Sequence, residues 1–305
     1  MRYMTVYRKL LSIVTAALVL GSLSACRTAP AEEPKPVPEN EVSMIQTLTT
    51  PHGKMQYFRF GNPEGKPYVI LPGLSLKSVM GAADAVAGAY ALLAEDYDMY
   101  LFDRITKYPD DYDIYGMAED TIAAFEQLGL KDISVMGVSQ GGMIAQIIAV
   151  QKPELISHLI LCSTSPYIAS GNSEAFAEWK AFAEKKDASG LVESFGRYVY
   201  TPEFFEQFKD AILAQAEGVT DEEFRNFLIS LNGMKDFDIR DQLGAVTCPA
   251  FVLGAGEDRV LGVQASRDLM DLLHCDGYIY EGKGHGVYDE APDYLSRVKE
   301  FLDTH

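Results

Sequence analysis

A serine hydroxyl is a poor nucleophile until a neutral imidazole accepts its proton, and that imidazole in turn needs a carboxylate to fix its tautomer and stabilise the imidazolium. Ser139 stands in a setting suited to this chemistry. It lies within Gly137-Val138-Ser139-Gln140-Gly141, directly after the apolar run ISVMGV and directly before the apolar run GMIAQIIAV. A strand, a sharp turn and a helix in that order would lift the serine above a sheet edge. The flanking glycines would let backbone and helix approach closely, and the helix N-terminus would turn partial positive charge toward the hydroxyl. The same five residues would also fit a plain strand-to-helix turn with a capping serine, so the flanking elements decide the matter.

Those elements follow a clear rhythm. Candidate strands are Met44–Leu48, Met55–Phe60, Pro67–Leu71, Tyr97–Phe102, Ile133–Val138, His158–Cys162, Ala250–Leu253 and Gly277–Tyr280. Several are apolar throughout, as strands buried on both faces of a parallel sheet must be. Helical patterns near Ser78–Ala94, Tyr115–Leu128, Gln140–Val150, Gln264–Leu273 and Tyr294–Leu302 separate them. Alternation of this kind means an α/β fold. From Ser170 to about Leu243 it lapses into amphipathic helical patterns alone, with Thr201 and Thr220 placed as helix caps ahead of acidic first turns. This stretch reads as a helical cap inserted over the sheet. The expected division is 43–169 and 244–305 for the catalytic core and 170–243 for the cap.

With the elements placed, the chain from about residue 43 to 303 resembles the α/β-hydrolase superfamily, whose catalytic residues run in the order serine, acid, histidine. The resemblance implies a mostly parallel eight-stranded sheet with helices on both faces. It also implies Ser139 as nucleophile, Asp258 in the turn after AFVLGAGED as the acid, and His285 between Gly284 and Gly286 as the base. Of the other histidines, His52 precedes the third strand, His158 opens a strand, His274 ends a helix and His305 is the last residue. Glu257 and Asp289 are the minor rivals to Asp258. Asp103 is expected to be a structural loop residue, and Asp236 and Asp238 to belong to the exit from the cap.

An oxyanion hole needs two backbone N–H groups aimed at developing negative charge. The resemblance gives these to Gln140 and Leu74, with one departure. Pro72 stands where relatives commonly carry a histidine before Gly73, so the side chain that often orders this loop is missing. Met143, Ile144, Ile147 and Ile148 read as helix core rather than substrate wall. The cap aromatics Phe176, Trp179, Phe182, Tyr198, Tyr200, Phe204 and Phe227 are divided between lining an apolar pocket and holding the cap in place.

Ester cleavage by way of an acyl-enzyme, on a small or medium apolar substrate, is the leading expectation by analogy with the fold. The same residues would serve amides, thioesters, lactones or carbon–carbon bonds next to a ketone. A noncatalytic ligand-binding surface lipoprotein is the reading from a different class. No glycine pattern for a nucleotide and no metal-ligand spacing occurs, so neither cofactor nor metal is expected.

The whole chain has 305 residues, 48% of them hydrophobic, and can bury a full core. Its first 25 residues read as an export signal. Arg2, Arg8 and Lys9 precede an apolar stretch that ends in Leu23-Ser24-Ala25-Cys26. This is similar to the lipobox of bacterial lipoprotein precursors and implies cleavage before a diacylglyceryl-modified Cys26, hence an exported protein anchored to a bacterial membrane. Two acyl chains hold firmly where one does not, since each buried methylene contributes about 0.8 kcal/mol. Residues 26–42, with Pro30, Pro34, Pro36 and Pro38, would form an extended tether. Formal charge is −18, and loss of the three basic leader residues takes it to −21. Such acidity excludes nucleic acid as a partner, because nothing is available to displace phosphate counterions. Cys162, Cys248 and Cys275 sit in or beside apolar runs and are expected to be buried free thiols.

Overall fold

The computed structural model describes residues 45–169 and 174–305. The leader, Cys26 and the tether lie outside the described residues. Eight strands form one sheet: β1 (Ile45–Thr49), β2 (Lys54–Gly61), β3 (Lys66–Leu71), β4 (Tyr97–Ile105), β5 (Ile133–Val138), β6 (Ile156–Cys162), β7 (Ala250–Ala255) and β8 (Asp276–Tyr280). Their order across the sheet is β1-β2-β4-β3-β5-β6-β7-β8. Only the pairings that involve β2 are antiparallel; from β4 to β8 every neighbour is parallel.

Helices α1 (Ala83–Ala89) and α2 (Ala91–Ala94) precede β4, and α3 (Ile114–Leu128) and α4 (Gln140–Gln151) flank β5. After β6 come α5 (Glu174–Glu184), α6 (Ala188–Val199), α7 (Pro202–Leu213) and α8 (Asp221–Gly233), with no strand of the sheet among them. Helices α9 (Val263–Leu273), α10 (Val287–Glu290) and α11 (Tyr294–Thr304) complete the chain. Alternate residues of the buried strands feed two cores. Val69, Leu71, Ile133 and Val135 pack with α3, α4 and α9 on one face. Tyr68, Ile70, Met136 and Val138 pack with α1, α2 and α11 on the other. All six residues of β5 are buried, which is why its sequence shows no polar alternation.

The continuous helical pattern Ser78–Ala94 is broken in the fold. A 3-10 turn at Val79–Ala82 is followed by α1 and α2, which meet at Tyr90 (φ −86°, ψ 11°). Gly81 and Gly88 weaken helix propagation there, and the break lets the Tyr90 ring drop into the core, where its hydroxyl meets Met136 Sδ at 3.3 Å. The helices after β6 start where their caps stand. Thr201 accepts from the Phe204 N–H ahead of Pro202, and Thr220 forms a reciprocal capping box with Glu223.

Candidate active site

Ser139, Asp258 and His285 all lie just beyond the carboxyl ends of parallel strands (β5, β7 and β8), where open α/β sheets bind ligands. Ser139 has φ 50° and ψ −117°. An L-residue there carries about 1–3 kcal/mol of strain and persists only where its surroundings over-determine it. They do. Its N–H donates to the Cys162 carbonyl at 2.9 Å. Its own carbonyl accepts from the Gly142 N–H at 2.9 Å, from the Met143 N–H at 3.3 Å and from Thr164 Oγ1 at 2.6 Å.

The elbow also demands its glycines. A Cβ on Gly141 would lie 2.0 Å from the Leu71 carbonyl oxygen and 2.5 Å from that of Pro72, and a Cβ on Gly137 would lie 2.5 Å from the Gly141 oxygen. These are backbone atoms, which cannot swing aside as a flexible side chain does. Gly141→Ala is therefore expected to destabilise the protein by about 3 kcal/mol through overpacking. That corresponds to a fall of roughly 6–10 °C in Tm for a domain of this size, measurable by calorimetry.

His285 Nδ1 and Asp258 Oδ2 are 2.9 Å apart, and the two side chains are 4% and 2% exposed. Asp258 Oδ1 accepts from the N–H groups of Val260 at 2.8 Å and Leu261 at 2.9 Å. Burial alone would push the Asp258 carboxyl up. The attraction and hydrogen bond of His285, together with the two N–H groups, outweigh burial and hold it below the ordinary carboxylate value. The rivals are placed elsewhere: Glu257 is exposed, and Asp289 accepts from the Tyr200 hydroxyl at 2.7 Å. Asp103 lies on β4 rather than in a loop, where its carboxylate accepts from Ser78 Oγ and the Arg104 N–H. Asp238 pairs with Arg240 just past the inserted helices. His52 faces Asp120, and His158 faces Ser134.

Ser139 and His285 open on one narrow apolar slot with Leu74, Met143, Phe176, Trp179, Phe195, Val199, Met234, Val260 and Leu261. Its empty volume is about 350 Å³, counting the mouth. Among the described residues no hydrogen bond joins Ser139 Oγ to His285; such contacts often tighten only when substrate binds. Leu74 is buried against the slot, and none of the described hydrogen bonds takes up its N–H. The Gln140 N–H belongs to the first turn of α4, where helix N–H groups lack intrahelical partners. The Gln140 side chain points elsewhere, donating Nε2 to Ser230 Oγ on α8 at 2.8 Å.

Sequence reading missed several lining residues. Met143, read as core, is buried yet forms part of the slot, whereas Ile144, Ile147 and Ile148 stay in the core. Of the seven cap aromatics only Phe176 and Trp179 line it. Phe195, not singled out, packs against Trp179 in a tilted pair with ring centroids 4.5 Å apart; its signal is the i,i+4 spacing to Val199 on one face of α6. Tyr200 has a different part. The α6–α7 joint clasps the histidine loop: Val199 O accepts from the Gly286 N–H at 2.8 Å, and Glu290 accepts from the Thr201 N–H at 2.7 Å and from its hydroxyl at 3.1 Å. Arg259, next to Asp258, donates to Tyr200 O at 2.6 Å.

The profile of the α/β-hydrolase fold family matches residues 93–292. The chain belongs to this family. Over 252 residues it is 23% identical to a protein of Pseudomonas savastanoi pv. phaseolicola named as the carbamate hydrolase RutD, covering 76% of this chain and 94% of that one. With 3-oxoadipate enol-lactonase 2 of Acinetobacter baylyi it shares 21% identity over 190 residues, 62% of this chain and 70% of the relative. The crystal structure of a hydrolase from Pseudomonas aeruginosa superposes with a TM-score of 0.72 at 18% identity, covering 87% and 99% of the two chains. Among α/β hydrolases, likeness at this level carries the fold, so the substrate has to be argued from this chain's own slot.

The three cysteines among the described residues, Cys162, Cys248 and Cys275, are free. Cys162 is buried as expected, but Cys248 and Cys275 are only partly so, because each sits at the edge of an element rather than inside it. Burial still pushes both thiols up to about 11.

Proposed function

We propose that this α/β hydrolase is a serine esterase that cleaves compact, uncharged carboxylic esters through an acyl-enzyme on Ser139. One observation carries the reading: an ionised Asp258 sealed against His285 at a slot that Ser139 shares and whose other walls are apolar. A neutral imidazole held by that carboxylate presents Nε2 as the base for the Ser139 proton, which it later returns to the leaving alcohol. As Ser139 Oγ attacks, the acyl carbonyl places its developing oxyanion on the Leu74 and Gln140 N–H groups; after the alcohol has left, water activated by the same imidazole attacks the acyl-enzyme and releases the acid and the Ser139 hydroxyl. The relatives named for carbamate and enol-lactone hydrolysis belong to the same acyl chemistry, and a slot lining without Asp, Glu, Lys or Arg favours a neutral ester. The test is labelling with a fluorophosphonate followed by peptide mapping, alongside a panel of p-nitrophenyl esters. An adduct on Ser139 and ester turnover are expected; no adduct and no turnover would remove the reading.

The slot sets the length of acyl chain accepted. Phe195→Ala removes a ring that lines the slot beside Trp179. Each methylene newly buried there is expected to raise kcat/KM about fourfold, from roughly 0.8 kcal/mol of transfer free energy. A series from acetate to octanoate checks this, and an unchanged ranking of chain lengths would mean that Phe195 serves packing alone.

Membrane anchoring through Cys26 belongs to the same proposal and is supported by the Leu23-Ser24-Ala25-Cys26 sequence. Cys26→Ser is expected to abolish incorporation of a fatty-acid analogue and leave the precursor uncut. Label persisting on the serine variant would refute the anchor.

A further inference from the structure

The turn Pro72-Gly73-Leu74 has no polar side chain with which to order itself, so its order comes from its neighbours. Arg104, near the end of β4, donates Nη2 to the Pro72 carbonyl at 2.7 Å. The same oxygen also lies close to Gly141, in the first turn of the helix that follows Ser139, where a Cβ would come within 2.5 Å of it. The Pro72 carbonyl is thus bonded to a guanidinium and packed close to the helix that follows Ser139, two residues before Leu74.

Arg104 is an expensive way to fill space. It is 6% exposed, its Nε has no partner, and among the described residues it joins no ion pair. A buried cation so sparsely bonded costs several kcal/mol that an apolar residue of similar volume would not. The one hydrogen bond its side chain makes among the described residues goes to this turn. Asp103 beside it is itself fixed, accepting from Ser78 Oγ and from the Arg104 N–H, so the strand end that carries the guanidinium is held in place.

The geometry points to Arg104 as a positioning residue for the oxyanion hole, holding Pro72 so that the Leu74 N–H faces the acyl oxygen above Ser139. The inference rests on the serine-esterase reading. Arg104 touches no reacting atom; its effect passes through the turn.

The test compares wild type with Arg104→Met and Arg104→Lys on p-nitrophenyl butyrate and on inhibition by phenylboronic acid, which forms a tetrahedral adduct on a catalytic serine. Losing an oxyanion donor costs about 100- to 1000-fold in kcat. A turn left in place but loosened is expected to cost Arg104→Met about 30- to 100-fold in kcat, with KM within about threefold and the boronate Ki raised in proportion to the kcat loss. Arg104→Lys, which keeps a cation and one donor, is expected to recover part of both losses. A merely structural role would lower Tm and the active fraction without moving the boronate Ki of the folded enzyme. Boronate affinity and kcat unchanged in Arg104→Met would overturn the inference. If that variant does not fold, the same split in Arg104→Lys decides, and an unchanged boronate Ki there overturns it equally. Wild type inert to both the ester and a fluorophosphonate would remove the esterase reading itself, and this inference with it.

Discussion

Replacing Ser139 or His285 by alanine is expected to lower kcat by roughly a million-fold in each case, and replacing both is expected to cost little more. In the proposed mechanism the nucleophile and its base act as a unit: without the imidazole the hydroxyl would keep its proton, and without the hydroxyl the imidazole would have nothing to activate. What remains in all three variants is binding in the slot and the oxyanion donors, which alone give a residual rate about 10³–10⁴ above that in water. Steady-state kinetics on the best p-nitrophenyl ester measure all three, and active-site titration guards against traces of wild type. Additive losses, with the double variant near the product of the singles, would show that the residues do not work as a unit. Near-normal turnover by Ser139→Ala would mean that another group is the nucleophile.

The fold was legible because its determinants are local and repeated. Strands buried on both faces read as near-continuous apolar runs, and YVIL of β3, ISVMGV of β5 and LILC of β6 announce themselves that way. Cap chemistry at Thr201 and Thr220 marks helix starts without reference to tertiary structure. Sequence failed where long-range packing overrode local preference. The pattern from Ser78 to Ala94 looks like one helix; Gly81 and Gly88 weaken it, and the break goes with the burial of Tyr90 beside Met136, 46 residues away.

The site divides in the same manner. Ser139 is visible because the elbow compresses strand, glycines and helix into one run of sequence, and the Gly141 contacts supply the steric reason. Contacts made across the fold leave no such trace. Arg104 reaches Pro72 from 32 residues away, Gln140 reaches Ser230 across 90, and Thr201 meets Glu290 across 89. Each reads in sequence as an ordinary polar residue on a strand, helix or loop. Met143 shows a further limit, since periodicity separates inside from outside but does not distinguish a core position from the wall of a buried slot.

Asp258→Asn tests the orientation of the base, and the expected loss is about 10⁴-fold in kcat with KM little changed. The asparagine can still accept from the Val260 and Leu261 N–H groups through its oxygen, which leaves its NH₂ facing His285 Nδ1. That nitrogen must then be the acceptor, so the proton moves to Nε2 and the ring presents a donor where Ser139 needs an acceptor. The loss should therefore exceed any change in folding. Stability adds an independent check with a definite sign. Asp258 is held below its unfolded value of 3.8 by His285 and the two N–H groups despite its burial. Its contribution is thus present above the unfolded value and lost as pH falls through the lower folded one. Wild type should be more stable than Asp258→Asn at pH 7, and the gap should narrow below about pH 4 as the carboxylate of the wild type takes up its proton. Chemical denaturation at pH 7 and pH 3 measures the two gaps. A gap that widens toward acid would mean that Asp258 is not held ionised by His285, and a kcat within tenfold of wild type would mean that the imidazole does not depend on it for its tautomer.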